Sequence, residues 1–308
     1  MFKNLSKLFF ETKWLCLYHK KDKSAQLFSL NAPSAWYQVK SSPRYWCADP
    51  FLVEEKGKYY VFCEMMDLKT SHGLLGAAEL NISGDTYIKP IQDLNCHISY
   101  PNVFKWEESY YMIPETSARK TIELYKATYF PNKWEKIAVL ADNLQAVDTT
   151  FFTLNNKAYI FIYEPNGADN SLSIAELDMI NFCLVNKKRV KEYSCRIGRP
   201  AGNIISSQGH IYRPTQYGVN TYGGKIVFKE FSFNPVSYGY QEKDINEISP
   251  SMLKNISKIP TPLGCHTYNS VGNIEIIDIK YKSFSLFRPI RILFKKLELG
   301  GYRYYEGK

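Results

Sequence analysis

Carboxylates, arginines and a histidine recur along this chain in matching contexts, and these residue types move protons and hold anions. The stretch "ADPFLVEEKGKYYVFCE" opens on Asp49 and closes on Glu64. "SYPNVFKWEESYYMIPE" puts Tyr100 and Glu115 in the corresponding places, and "VDTTFFTLNNKAYIFIYE" puts Asp148 and Glu164 there. "GRPAGNIISSQGHIYRPTQ" supplies Arg199, Arg213 and Gln216, and "CHTYNSVGNIEIIDI" supplies His266. A carboxylate can take a proton from a hydroxyl or give one to a departing group. An arginine cannot donate its proton usefully near neutral pH, but it grips phosphate or carboxylate with paired hydrogen bonds. Together they suit a polar ligand.

For these residues to act together, the fold must gather them. The residues that open the five segments (Asp49, Tyr100, Asp148, Arg199, His266) are 51, 48, 51 and 67 positions apart. Each segment reads as strand, turn, strand, and long helical patterns are absent. A period of about 50 residues with several short strands per unit marks a propeller blade. The expected fold is all-β, a five-bladed β-propeller. The longer last interval predicts an insertion plus the outer strands of the fourth blade, and a strand near "LFSLNAPSAWYQV" predicts closure of the ring. The innermost strand of a blade and the next one run antiparallel. The start of one and the end of the other therefore share a face. That pairs Asp49 with Glu64, Tyr100 with Glu115, Asp148 with Glu164, and Arg199 with Arg213 or Gln216, with His266 at the same mouth. Burying so much polarity is costly without partners. A polar ligand would supply them, and a channel of mutually paired charges is the alternative.

Composition narrows the class. The 308 residues are 45% apolar, which excludes global disorder. Aromatics make up 15%, including 24 tyrosines, as β-rich packing favours. The seven cysteines form no CxxC pair, so neither a zinc site nor a disulfide framework is expected. They read as idle thiols of a reducing compartment. No apolar run reaches the length of a membrane span, and the N-terminus makes a poor signal peptide. Of the net charge of +9, residues 1–23 carry +4 and residues 280–308 carry +6, which leaves −1 for the body. A neutral body argues against a nucleic-acid partner. The predicted organisation is a basic N-terminal extension over 1–23, a propeller over 24–281 and a basic amphipathic tail over 282–308. Both tails suit an anionic membrane surface, and the expected location is cytoplasmic, at the inner face of the membrane.

The motifs also carry a likeness. With Asp49 in "ADPF" and Asp148 in "VDTTFF", the pattern resembles the family 43 and family 32 glycoside hydrolases. The resemblance implies that the blade-one Asp acts as base or nucleophile and that the blade-three Asp orients the site. In those families a blade-four Glu is the general acid. "SYPNVF", "YYMIPET", "LYKATYFPNKW", "GRPAGN", "IYRPTQ" and "GCHTY" further resemble the family 43-like propeller domain of plant glucosamine inositolphosphorylceramide transferases and its stand-alone bacterial relatives, over about residues 40–280. In the plant proteins a separate appended domain is taken to be the transferase, so the likeness does not carry that activity with it.

Where the hydrolases place their acid, this chain reads "SCRIGRPAGN", with Arg199 at the repeat-equivalent position. Hydrolysis of a glycoside needs an acid opposite a second carboxylate. The expected function is therefore a glycosyltransferase of surface polysaccharide or glycolipid assembly. It would use a nucleotide sugar and a glycan or glycolipid acceptor. Asp49 is the expected acceptor base and Asp148 a positioning group. Arg199 and Arg213 are expected on the phosphates, and Glu115 and His266 on the sugar. Glu64, Tyr100, Glu164 and Gln216 complete the expected binding set. No cofactor is assigned; without a fixed DxD pattern, a divalent metal stays an open option. Two alternatives remain: a hydrolase whose acid has moved to Glu115 or Glu164, and a glycan-binding module without catalysis. "FPNKW" at 130–134 is expected to pack between blades.

Overall fold

The computed structural model of the chain describes residues 9–21, 35–167, 169–219, 221–254, 256, 259–286 and 288–289. Five sheets follow one another, each a blade and antiparallel but for a short parallel pairing of Thr86–Tyr87 with Trp36–Lys40, and the chain is a five-bladed β-propeller. Blade one comprises Tyr45–Glu55, Lys58–Asp67, Gly73–Glu79 and Lys89–Gln92. Blade two comprises Ser99–Trp106, Ser109–Thr116, Thr121–Tyr129 and Lys133–Ala141. Blade three comprises Val147–Leu154, Lys157–Glu164, Asp169–Asp178 and Cys183–Ser194. In blade four the inner strand is split into Ile197–Pro200 and Ile205–Ser207, followed by His210–Tyr217, Lys225–Asn234 and Gly239–Ile248.

Blade five is composite. Tyr268–Val271 and Ile274–Phe284 come from the C-terminal half, and Phe10–Lys20 and Trp36–Lys40 come from the N-terminus. This corrects the expected boundaries. Phe10–Lys20 is no extension: it pairs with Ile274–Phe284 over eleven residue pairs, with Trp14 to Tyr18 buried. The same pairing carries the last strand past residue 281. Joining the two chain ends in one sheet closes the ring, and Trp36–Lys40 also pairs in parallel with Thr86–Tyr87 from the blade-one segment. The charged tail proper, residues 290–308, lies outside the described residues, as do residues 1–8 and 22–34. The expected membrane contact falls there. Among the described residues no helix is long and apolar enough to cross a membrane, and the cysteines are free thiols.

The sequence explains the hairpins. The inner hairpins of blades one, three and four turn at Lys56-Gly57, Asn155-Asn156 and Gln208-Gly209, with φ between 50° and 80° at all six residues. Two consecutive left-handed residues match the right-handed twist of the flanking strands, which is why Gly and Asn dominate there. Between blades, the sheets bury alternate apolar side chains against each other. The "FPNKW" turn behaves as expected: the Phe130 ring stacks on Tyr110 at 4.0 Å and meets Tyr60 of blade one at 5.0 Å.

A belt of asparagines spans the central channel. Asn102 donates to Asn203 at 2.8 Å and accepts the Phe151 amide at 2.8 Å. Asn269 accepts the Asn203 amide at 2.9 Å and donates to the Pro50 carbonyl at 2.6 Å. Side chains of blades two, four and five thus hold backbone of blades one, three and four. The belt fixes the blades' mutual positions just below the residues that open each inner strand.

Candidate functional site

The inner strands of blades one to four each begin with a register shift, and the shift aims the site residues. Ala48 pairs with Glu64, yet Phe51 pairs with Phe62; the same slip separates Ser99 from Asn102, Val147 from Thr150 and Ile197 from Pro200. One extra residue per strand is a β-bulge, which bends the strand and redirects a side chain. Asp49, Tyr100 and Asp148 sit in these bulges with φ of 48°, 45° and 50°. A left-handed backbone costs a non-glycine residue of order 1–2 kcal/mol, so the bulges need support. The Asp49 amide donates to Asp278 of blade five at 3.1 Å, and the Asp148 amide donates to Glu115 of blade two at 3.3 Å. In blade four the left-handed slot belongs to Gly198, φ 76°. Arg199 therefore stands one residue beyond the place its repeat spacing implied.

Seven of the ten expected residues meet at this mouth: Asp49, Glu64, Glu115, Asp148, Arg199, Gln216 and His266. Arg199 bridges two blades. Its Nη2 lies 3.0 Å from Asp148 Oδ1 and 3.1 Å from Glu115 Oε2, and its Nε donates to Asp148 Oδ2. Gln216 Nε2 donates to the same Oδ2 at 2.9 Å. Ser117 donates to the other Glu115 oxygen at 2.7 Å. Burial pushes the Asp148 carboxyl up to about 7, against the pull of Arg199, with Glu115 adding to the rise. Asp49 accepts the Thr267 hydroxyl at 2.6 Å and lies 3.5 Å from His266 Nε2. Burial raises its pKa as well, and the neighbouring His266 opposes that rise.

His266 lies between two carboxylates, with Asp278 Oδ2 2.5 Å from Nδ1. Burial alone would lower its pKa; Asp278 and Asp49 outweigh burial and raise it. Trp14 lies parallel to its ring at 3.9 Å. Tyr222 meets the ring edge-on at 5.3 Å and also lies 5.6 Å from the Arg199 guanidinium. Asp278, Thr267, Trp14 and Tyr222 were missing from the sequence reading. Asp278 was within reach: it lies twelve residues after His266, inside a quoted segment. Trp14 had no local signal, because a strand from the far end of the chain delivers it.

Three expected residues are elsewhere. Tyr100 is fully buried; its hydroxyl accepts the Gly202 amide at 2.8 Å and shares a 2.9 Å bond with Thr150. It braces the channel and is closed to a ligand. Glu164 pairs with Lys187 at 2.7 Å. Its blade places Tyr163, opposite Val147, where the others place Glu64 and Glu115. A shift of one residue turns a strand side chain to the other face. Arg213 is buried inside blade four, bound to the Gly198 carbonyl at 2.7 Å, the Tyr193 hydroxyl at 2.6 Å and Glu242 at 2.8 Å. It is three residues from Gln216, an odd separation, so the two point to opposite faces. An Arg213 contact with a ligand phosphate is thereby excluded.

Asp49, His266 and Asp278 could together offer three ligand atoms to a cation, within 4.8 Å of one another. Several of their atoms already serve neighbours within the fold. Asp278 Oδ1 accepts the His266 and Thr267 amides at 2.9 and 3.0 Å, and Asp49 takes the Thr267 hydroxyl.

A ring of five four-stranded blades with carboxylates rising from bulged inner strands is the architecture of the family 43-like propellers. A thermostable family-43 glycoside hydrolase superposes with a TM-score of 0.56 over 80% of this chain and 92% of that one, at 14% identity. The catalytic domain of the Coprinopsis cinerea GH62 alpha-L-arabinofuranosidase gives the same TM-score over 76% and 90%, at 12% identity. These likenesses define the fold. The profile of the family described as "Glucosamine inositolphosphorylceramide transferase 1, N-terminal" matches residues 29–255, and the chain belongs to that family. The Oryza sativa subsp. indica protein named glucosamine inositolphosphorylceramide transferase 1 is 28% identical over 218 residues, covering 65% of this chain and 29% of that protein. The chain thus spans less than a third of this relative's length. Trp14, His266 and Asp278 lie outside the matched range.

Proposed function

We propose that this propeller is a carbohydrate-active enzyme that transfers a glycosyl group, with Asp49 as the base for the incoming hydroxyl. The observation that carries the reading is the setting of Asp49. It is a buried carboxylate whose base strength is raised, held by Thr267 and His266 at an open mouth. A carboxylate of raised basicity suits proton abstraction from a hydroxyl. His266, whose pKa its two carboxylates raise against burial, would steady the charge left after the proton moves. Asp148 and Glu115 hold Arg199 across the mouth, Gln216 steadies Asp148, and 26% of the Arg199 side chain is still open to solvent. A nucleotide-sugar donor would place its phosphates on Arg199. Arg213 cannot assist, and Asp148 and Glu115 compete for the same guanidinium. A neutral or cationic sugar meets no such competition among these carboxylates. The relatives' name supports an amino sugar or an inositol-containing lipid as a first probe. The basic termini support working at an anionic membrane surface.

The test is product analysis with the purified chain, offered nucleotide sugars and simple glycosides as donors and glycolipids as acceptors. Asp49→Asn should lose about 10²–10⁴-fold in rate with its melting temperature kept. Unchanged transfer by that variant would overturn the assignment. Release of free sugar alone would make water the acceptor and the chain a hydrolase. Saccharide binding without turnover would leave only a binding module.

A further inference from the structure

One carboxyl in the mouth differs from the rest. Glu115 and Asp278 spend their oxygens on amide, hydroxyl or guanidinium donors. Glu64 is only 5% exposed, and its Oε1 has no hydrogen-bond partner. The carboxyl lies against Gly73, where a Cβ would come within 2.5 Å of Oε1. The glycine therefore admits it, and any larger residue would displace it. The ion-pair neighbour of Glu64 among the described residues is His97, whose Nε2 is 3.7 Å from Oε1. That is too long for a hydrogen bond.

The histidine is oriented for this contact. His97 Nδ1 accepts the Gly73 amide at 3.0 Å. In the neutral ring the proton then sits on Nε2, the nitrogen facing Glu64. Burial lowers the His97 pKa, with His72 and Arg199 adding to the fall and Asp49 opposing it. The imidazole side chain is 39% exposed, so it links the buried carboxyl to solvent. The other charged groups facing Glu64 are acids: Asp49 on its own blade, Glu115 from blade two, Asp148 from blade three and Asp278 from blade five. Burial first, and then these four, push the Glu64 carboxyl well above the usual carboxylate range.

We propose that Glu64 is a catalytic acid of this mouth, which hands its proton to the departing oxygen of a glycosyl donor, with His97 as the positioning residue that orients and reprotonates it. The proposal rests on the reading that the mouth performs glycosyl transfer. As the bond between anomeric carbon and departing oxygen breaks, its electron pair stays on the oxygen. The Glu64 proton moves to that oxygen and leaves a carboxylate. A proton from water, relayed through His97, restores the acid. An alcohol needs this help to leave, and a phosphate does not. The proposal therefore favours a glycoside donor over a nucleotide sugar. It also supplies the acid that blade four lacks.

Three measurements test it on the full chain. Infrared or carbon-13 spectra of protein labelled at glutamate carboxyls should show a protonated carboxyl at pH 7 that disappears in Glu64→Gln. If the wild-type protein lacks that signal, the proposal fails whatever the activity. Next, alkyl glycosides are compared with nitrophenyl glycosides, whose leaving groups need little protonation. Glu64→Gln should lose about 10²–10⁴-fold on the alkyl series and only a few-fold on the nitrophenyl series. Equal losses on both would overturn the acid role. His97→Asn should shift the basic limb of the kcat profile to higher pH, because the N–H facing the carboxylate is gone, while KM holds. An unmoved profile would remove His97 from the proposal. If the wild type turns over neither series but transfers from a nucleotide sugar, the acid role falls and the glycosyl-transfer reading stands; if it turns over no donor, both fall, even where the spectra show the proton.

Discussion

Blade four contributes two arginines with opposite fates, and the contrast separates a site from a brace. Arg213 is wholly buried, and its partners Glu242, Tyr193 and the Gly198 carbonyl enclose it. Its guanidinium also lies 5.3 Å from the Phe161 ring of blade three. Arg199 has partners of the same kind, Asp148 and Glu115, and an aromatic neighbour in Tyr222, but it keeps an open side. The carboxylates respond in opposite ways. Around Arg213 burial raises the pKa of Glu242, yet Arg213 and two tyrosine hydroxyls outweigh it and hold the group down at about 2. Around Arg199 burial wins, and Asp148 rises to about 7. Two cations on one acid, Arg213 and Lys229 (3.6 Å from Glu242), complete a structural cluster. One cation shared among several acids leaves protons to be moved. That difference, and not the residue types, marks the mouth as the functional end.

The largest expected break in this comparison comes from Arg213→Met. Removing one member of a buried pair costs about 3–5 kcal/mol because the partner stays buried and charged, and chemical denaturation will read the loss. Arg199→Met should cost about 1 kcal/mol, the scale of a solvent-reachable pair, while abolishing ligand-dependent stabilisation. Equal destabilisation by the two would erase the distinction drawn here.

The pH dependence sharpens the same contrast, with opposite signs. Glu242 titrates lower in the folded chain than in the unfolded one. The stability it contributes is full above the unfolded value and is lost as pH falls toward 2. Asp148 titrates higher when folded, so the native state binds the extra proton. Stability should decline as pH rises from the unfolded aspartate range through about 7. Melting curves of the ligand-free protein should therefore show a gain on mild acidification from pH 8 toward 5.5, which Asp148→Asn reduces and Glu242→Gln leaves in place; Asp49, Glu64 and His266, also raised, carry the rest. A gain undiminished in Asp148→Asn would assign the effect to those groups alone.

The smallest effect is expected of Tyr222→Leu. Loss of its contact with the Arg199 guanidinium should cost about 0.5–1 kcal/mol, read as a few-fold weaker ligand binding with stability almost unchanged. A loss as large as that of Arg199→Met would instead make Tyr222 a direct ligand contact.

Much of this was legible in the sequence, at identifiable residues. The five opening segments announced the blades, and Lys56-Gly57 and Asn155-Asn156 announced their turns. Counting fifteen residues from the opening to the closing position finds Glu64 from Asp49 and Glu115 from Tyr100. Blade three has sixteen between Asp148 and Glu164, and that single residue sends the glutamate to the wrong face and puts Tyr163 in its place. Arg213 failed for a related reason. Its charge suggested a ligand, but strand parity points it into the blade.

By itself the sequence determined the class, the number of blades and the chemical character of the mouth, because hairpins and bulges are local and repeat with the period. Only the tertiary structure decided which acids stay paired and which keep a proton. Thr267 reaches Asp49 across 218 residues, and Trp14 reaches His266 from the other end of the chain. Such contacts exist only once the ring closes. Protonation then follows from burial and from the sum of neighbouring charges, and no local pattern in the sequence contains either.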